Sequence, residues 1–266
     1  MRKPIIVIKL GGSALTDKSR IYTPRISTIH RAASQIAVIA KKFSVMLVHG
    51  AGSFGHISVE KYGLAHGFKS RRQLKGLART KFKLLEWESM LDEILLRHKI
   101  PLMPFVTSSF VVAKKGRIVS ADLEPLRGCL RLGCVPSAGG DVVTDLDDGF
   151  SIVSGDQLAA YVAVKLRASS LIFGIDVDGI FDSDPKVNKR AQLLERMRPS
   201  FASKVVSRTE QRTTPDVTGG MAGKIKEAAI AARHGVPVCF VNLTKPERLE
   251  KAAFNRPVLC SKIVAE

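Results

Sequence analysis

Residues 48–56, Val48-His49-Gly50-Ala51-Gly52-Ser53-Phe54-Gly55-His56, place three glycines and a closing histidine directly after an apolar stretch. Glycines at such a point let the backbone turn sharply and bring its N–H groups close to an anion. A histidine at the end of the loop is able to donate a hydrogen bond to a phosphate oxygen. The same string fits Gly-x-Gly-x-x-Gly, so dinucleotide binding has to be weighed against phosphate transfer. The dinucleotide pattern requires an acid about 20 residues further on, at the end of the next strand. Here that region reads Phe68-Lys69-Ser70-Arg71-Arg72, which is basic and not strand-like.

Four further clusters carry chemistry. Lys9-Leu10-Gly11-Gly12-Ser13 is followed by Thr16-Asp17-Lys18. A lysine at the carboxyl end of a strand, beside glycines, occupies the edge where open α/β sheets bind ligands; a strand-end turn with an extended lysine is the plainer reading. Thr218-Gly219-Gly220-Met221-Ala222-Gly223-Lys224 invites comparison with a P-loop, but only three residues separate Gly219 from Gly223, and Ile225 follows Lys224 where Ser or Thr is needed. What remains is a helix start with glycines for close packing, or a lysine and a helix N-terminus both aimed at phosphates. Ser154-Gly155-Asp156-Gln157 has the form of a capping box, which accounts for Ser154 and Gln157 but not for Gly155 and Asp156. Asp176-Val177-Asp178-Gly179 runs into Ile180-Phe181-Asp182-Ser183-Asp184-Pro185. A calcium loop fails, because Gly179 is fourth rather than sixth and Val187 is twelfth where Glu is required. The turn is either structural or presents carboxylates that orient phosphate-facing lysines or hold Mg²⁺ indirectly.

These clusters need a scaffold that brings strand ends together. Residues 5–10, 44–48, 102–106, 170–175 and 236–241 read as buried strands, and 26–42, 77–99, 157–167 and 222–234 as helices. Such alternation predicts an α/β protein with a mainly parallel sheet covered on both faces. Residues 110–153, with Asp-Gly turns and short apolar runs, predict hairpins inserted into that sheet. The halves, about 1–150 and about 151–266, are expected as lobes of one domain sharing one sheet.

Of 266 residues, 45% are hydrophobic, enough for a substantial core and too many for a disordered chain. No apolar run approaches the ~18 residues needed to span a bilayer. Met1-Arg2-Lys3-Pro4 leads straight into Ile5-Ile6-Val7-Ile8, too short for a signal peptide, and is expected to open the first strand. Cys129, Cys134, Cys239 and Cys260 show no metal or redox spacing, which fits reduced structural thiols in a cytoplasmic protein. The formal charge of +18 includes the acid-free run Lys69, Arg71, Arg72, Lys75, Arg79, Lys81 and Lys83. A solvated helix face explains that run first, attraction of small anions second, and nucleic acid last.

In order along the chain, Lys-x-Gly-Gly-Ser, Gly-x-Gly-Ser-Phe-Gly-His, Ser-Gly-Asp, Asp-Val-Asp-Gly-Ile-Phe and Asp-Val-Thr-Gly-Gly-Met-x-x-Lys resemble the amino acid kinase superfamily over about residues 4–245. The Ser-Phe-Gly-His ending is most similar to its isopentenyl phosphate kinases, with fosfomycin kinases as close relatives. The resemblance implies a three-layer α/β/α sandwich without a P-loop, a homodimer, and isopentenyl phosphate and ATP as substrates. Mg²⁺ is then carried on the ATP phosphates rather than by protein ligands, and no membrane partner is expected. Carried over by motif, Lys9, Leu10, Gly11, Gly12 and Ser13 would meet the ATP phosphates, and Gly52 would approach them. Lys18 would stabilise the transferring phosphoryl group. Ala51 and His56 would hold the acceptor phosphate, Gly155 would line its site, and Asp156 would support the lysines. Asp176 and the segment Asp182, Ser183, Asp184, Pro185, Lys186 and Val187 would hold the nucleoside end. Gly220 and Lys224 would return to the β- and γ-phosphates. Two positions depart from the family: Ala51 stands where a third consecutive glycine is common, and Gly174-Ile175 replaces a common Leu-Thr, leaving out a hydroxyl near the nucleotide.

A phosphate acceptor also follows from what the motifs lack. A phosphomonoester has a second pKa near 6, so its attacking oxygen is already mostly ionised at neutral pH. It needs no general base, and the motifs offer no clear one; it does need cations and N–H groups, because two anions must meet. Lys9, Lys18, Lys224, His56 and the glycine amides would supply them. A kinase for another phosphate or phosphonate, and a non-catalytic nucleotide- or nucleic-acid-binding protein of the same fold, are the alternatives. The acceptor's tail is expected near Leu74 to Leu85 and Phe105.

Overall fold

The computed structural model describes residues 3–17, 20–183, 185, 187–202, 205 and 220–264. Its centre is an eight-stranded sheet. From the N-terminal half come β1 (Ile5–Leu10), β2 (Ser44–His49), β3 (Leu102–Pro104) and β6 (Val135–Gly139). The C-terminal half supplies β9 (Ser170–Ile175), β10 (Arg196–Met197), β11 (Val238–Asn242) and β12 (Ser261–Ile263). The spatial order is β10-β12-β11-β9-β1-β2-β6-β3, and every pairing is parallel except β11 with β12.

The β-branched runs predicted as strands are buried on both faces because alternate residues feed two cores. In β1, Val7 packs with α6 (Gly155–Lys165) and α7 (Gly220–Arg233) on one side. Ile6, Ile8 and Leu10 pack with α2 (Ile26–Ala40), α4 (Gln73–Arg97) and α8 (Arg248–Ala253) on the other. Alanines 159, 160 and 163 of α6 and 228, 229 and 232 of α7 are buried in this core, and side chains of that size let the two helices lie close together and to the sheet. Phe173 and Phe240, neighbours on β9 and β11, stack with centroids 4.9 Å apart. The three layers are the predicted sandwich.

Residues 110–153 were expected as hairpins inserted into the main sheet, but their strands stand apart from it. β4 (Val111–Lys114), β5 (Arg117–Ala121), β7 (Asp141–Asp145) and β8 (Gly149–Val153) form a second, four-stranded sheet in the order β5-β4-β7-β8. Between them the chain returns to the main layers as α5 (Glu124–Leu132) and β6. Pro125 in the first turn and Gly133 in a left-handed C-cap bound α5, and they disguise a short helix as a loop in the sequence. Asp145 secures the small sheet's turns, accepting from the N–H groups of Lys115, Gly116, Asp147 and Asp148 and from the Ser151 hydroxyl. The predicted strand 102–106 stops at Pro104, and the helix predicted from residue 77 begins at Gln73.

Candidate active site

The carboxyl ends of β1 and β2 lie side by side, with Lys9 opposite Val48 and Leu10 opposite His49. Each strand is followed by a glycine turn and a helix: α1 (Gly12–Leu15) after β1 and α3 (Ser53–Lys61) after β2. The two turns touch backbone to backbone. A Cβ added at Gly12 would collide with the Gly52 amide, and one at Gly50 would lie 2.8 Å from the Gly12 nitrogen. Gly52 has φ of +51°, a conformation that glycine adopts freely. The buried Thr16 stitches the turns together: its hydroxyl donates to Gly12 O at 2.9 Å and accepts from Ser53 N–H at 3.0 Å.

The segment read as a loop is therefore partly helical, since α3 starts at Ser53. His56 sits in its first turn, where the exposed N–H groups carry partial positive charge. Phe54, on the opposite side, stacks on the fully buried Trp87 at 4.9 Å between centroids. The Trp87 indole N–H donates to Gly50 O at 3.1 Å, anchoring the turn from below.

Ser154 caps α6 by accepting from Gln157 N–H at 3.1 Å. The reciprocal half of the predicted capping box is not made. Instead, Gln157 Oε1 accepts from Ile118 N–H at 2.7 Å and its amide donates to Gly116 O at 3.0 Å, pinning the β4–β5 hairpin over α6. Gly155, the first residue of α6, backs onto the His49 carbonyl, where a Cβ would stand 2.7 Å from the oxygen. Asp156, next in line, turns into the protein between two lysines. Lys9 Nζ lies 2.6 Å from Oδ1, and Lys224 Nζ lies 3.2 Å from Oδ2. Lys224 also reaches Gly220 O at 3.3 Å, within the first turn of α7. Burial pushes the Asp156 carboxyl up, but the two lysines, Lys224 foremost, outweigh it and hold it below its ordinary value.

A cleft of about 680 Å³, open to solvent, lies over this floor. The structure brings Lys9, Gly12, Ser13, Ala51, Gly52, His56, Gly155, Asp156 and Lys224 to its lining. Its other wall was anticipated only in part: it is built by Val59 from α3, Thr80 and Leu84 from α4, Asp141 and Val142 from β7, and Ile152 and Val153 from β8. Thr80 and Leu84 fall in the span expected near the acceptor tail. Phe105 does not line the cleft; it packs against Phe110 and the core. Among the described residues, the two carboxylates lining the cleft are each matched by lysine, Asp156 as above and Asp141 by Lys81.

Leu10 and Gly11 lie at the end of β1 below the lining, where Gly11 N–H donates to Gly174 O at 2.8 Å. Asp176 follows β9, and Asp182 accepts from Ser183 Oγ and Gln192 N–H, both at 3.0 Å. Pro185 and the exposed Val187 continue this segment outside the cleft. Asp178 takes a structural part, accepting from Asn242 Nδ2 and Arg248 Nη1 at 2.8 Å each. Gly220 opens α7. Lys18, Asp184 and Lys186 lie outside the described residues.

Behind the turn at Gly50 sits a layer of buried or half-buried titratable groups. Burial, and next the Lys9 charge, pull the His49 imidazole down to about 4, so it is neutral beside that lysine. Burial, and then Asp141, push Glu88 up to about 8 despite Lys81, and burial pushes Asp92 up to about 6 despite a hydrogen bond from Ser137. At neutral pH His49 is therefore uncharged and Glu88 largely protonated, whereas Asp92 is mostly ionised.

The amino acid kinase family model matches residues 4–242. Isopentenyl phosphate kinase of Methanothermobacter thermautotrophicus is 35% identical over 98% of this chain and its own full length. A solved isopentenyl phosphate kinase superposes with a TM-score of 0.85 at 32% identity, over 98% of this chain and all of that one. The Thermoplasma acidophilum isopentenyl phosphate kinase product complex gives 0.80 at 27% identity, over 97% and 99%.

Proposed function

We propose that this chain, which belongs to the amino acid kinase family and within it to the isopentenyl phosphate kinases, transfers the γ-phosphoryl group of ATP to isopentenyl phosphate, forming isopentenyl diphosphate and ADP. The observation that carries this reading is the floor of the cleft. One buried carboxylate, Asp156, holds two lysines side by side, while the starts of α3 and α6 face the same space.

An oxygen of the acceptor phosphate attacks the γ-phosphorus as the bond to the β-phosphate bridging oxygen breaks. That oxygen is ionised at neutral pH, so no base is called for. The cleft's carboxylates agree, since each is tied to a lysine and poorly placed to take a proton. The work left to the protein is alignment and charge compensation. Lys9 and Lys224 are fixed by Asp156 before substrates arrive, so little reorganisation is needed as charge moves to the leaving oxygen. His56 and the α3 amides are assigned to the acceptor phosphate, and Lys18 to the phosphoryl group in flight. Gly12 and Ser13 are assigned to the donor phosphates. Asp176, Asp182, Ser183, Pro185 and Val187, with Asp184 and Lys186, are assigned to the nucleoside end. Mg²⁺ fits as an ion carried by the nucleotide phosphates, where it would neutralise charge.

The apolar wall of Val59, Leu84, Val142 and Ile152 suits a short hydrocarbon tail beside a phosphate-binding floor. This division puts the acceptor in the half 1–150 and the nucleotide mainly in 151–266. No described helix is long and apolar enough to cross a membrane. A cytoplasmic enzyme fits the four free cysteines. Exposed Phe82, Leu85 and Met90 on α4, with Met103 on edge strand β3, support a homodimer. Incubation with Mg-ATP and a panel of isopentenyl phosphate, fosfomycin and other small phosphates tests the assignment. Isopentenyl phosphate should give the fastest conversion, with one ADP per diphosphate formed; no turnover of it would sink the proposal.

A further inference from the structure

Away from the cleft, the antiparallel pair β11 and β12 carries two cysteines that the reaction does not use, Cys239 within β11 and Cys260 just before β12. Cys239 lies opposite Lys262, and Phe240 opposite Ser261. Continuing the register brings Cys260 to the same sheet face as Cys239, one diagonal step away. Both are buried, at 9% and 7% exposure, in the core beneath α2 and α8. The two thiols are close enough to shift one another's titration. The neighbouring Cys239, and after it Lys262 and Arg248, pull the Cys260 thiol down to about 7 against burial and the charge of Glu195, while Cys239 is pushed up. Cys260 also lines a surface cleft in which the cations Arg196, Arg256 and Lys262 outnumber one acid, Glu195. Arg196 and Lys262 are directly paired on β10 and β12, a like-charge arrangement that an anion would relieve. A thiolate beside cations, open to a cleft, is the setting of a reactive cysteine.

We propose that Cys260 and Cys239 form a thiol–disulfide exchange pair, reached through this cationic cleft by an anionic low-molecular-mass disulfide. The Cys260 thiolate attacks one sulfur of the reagent and expels the other half as a thiolate. Cys239, losing its proton to solvent, then attacks the Cys260 sulfur of the mixed disulfide and expels the second half. The protein gives up two electrons and two protons, and the reagent disulfide becomes two thiols.

The bridge would bear on the nucleotide. Ser261, next to Cys260, accepts from Ile180 N–H through Oγ at 2.7 Å, while Asn242 at the end of β11 holds Asp178. The two strands thus grip both ends of the turn that leads to Asp182. Diagonal neighbours stand about 7–8 Å apart at Cα, whereas a disulfide spans about 4.4–6.8 Å. Closing it draws Ser261 toward β11 and displaces Ile180. This last consequence rests on the nucleotide site proposed above; the bridge itself does not.

The test uses the whole protein and oxidised glutathione. Peptide mapping without reduction should show Cys239 joined to Cys260, two hydrogens lighter than the dithiol and reversed by dithiothreitol. Mapping separates this pair from Cys129 and Cys134 at the end of α5. In Cys239→Ser the reaction should stop at a glutathione adduct on Cys260. ATP affinity, by titration calorimetry, should weaken about tenfold in the bridged form, with the KM for isopentenyl phosphate unchanged. Cys260 left fully alkylatable, or a wild-type adduct that never resolves, overturns the exchange pair. A bridge with unaltered ATP affinity overturns its link to the nucleotide. Lack of turnover in the reduced protein would count against the kinase alone.

Discussion

Replacing Asp156 by asparagine removes one charge from the point on which the cleft floor depends. The carboxylate is 5% exposed and sits 2.6 Å from Lys9 and 3.2 Å from Lys224. Asparagine keeps the shape but takes away the charge that stands between the two ammonium groups. Removing one partner of a buried ion pair costs about 3–5 kcal/mol. Lys224, with 16% of its side chain exposed, is able to turn toward water, whereas Lys9 at 3% is not. The lower end, ~3 kcal/mol, is therefore expected, or about two powers of ten in the folding equilibrium. Urea unfolding of both proteins at pH 7 measures it. The pH dependence adds a second reading. Because the folded carboxyl is held below its ordinary value, its contribution is complete above the unfolded value near 3.9 and is lost as pH falls through the folded one. The gap between wild type and variant should therefore stay constant from pH 7 to pH 5. A variant within about 0.5 kcal/mol of wild type at pH 7, or a gap already shrinking by pH 5, refutes the reasoning.

Three other outcomes are expected. His56→Ala should lower turnover by about 10²–10³-fold, the scale for removing a donor from developing charge; near-wild-type rates would take His56 out of the reaction. Lys18→Ala should reduce kcat more than ATP affinity, as for a contact made mainly in the transition state, and an effect confined to KM would contradict that role. Glu88, pushed up to about 8 by burial and Asp141, keeps its proton in the folded state where the unfolded chain has lost it. Wild-type stability should then fall as pH rises from about 5 to 8, and Glu88→Gln should flatten that decline in thermal melts. Identical slopes would show that Glu88 ionises normally.

The parts of the site legible in the sequence are those whose chemistry is contiguous. Lys9 with its glycines, and Gly50 to His56, each occupy one strand-to-helix turn, so residue type and place could be read together. The parallel core strands were visible because both faces are buried and the runs are uniformly apolar. Of the opposite wall only the α4 span around Leu84 was anticipated, because Val142 and Ile152 meet it only through the packing of α4 against the small sheet. Gln157 misled for a related reason: its spacing from Ser154 suits a capping box, but the hairpin above supplies better partners. The sharing of Asp156 between Lys9 and Lys224 is likewise tertiary, joining β1, α6 and α7.

The contact between Gly12 and Gly52 limits how such a protein can change. No side chain separates the turn assigned to the donor from the turn assigned to the acceptor, so neither can shift without carrying the other. A mutation meant to retune one substrate there would be felt by both. New acceptors would instead have to be accommodated by Val59, Leu84, Val142 and Ile152, which belong to elements free of that crossing or reach it only from a later turn. Descendants of this scaffold should thus diversify across the apolar face while the glycine crossing stays as it is.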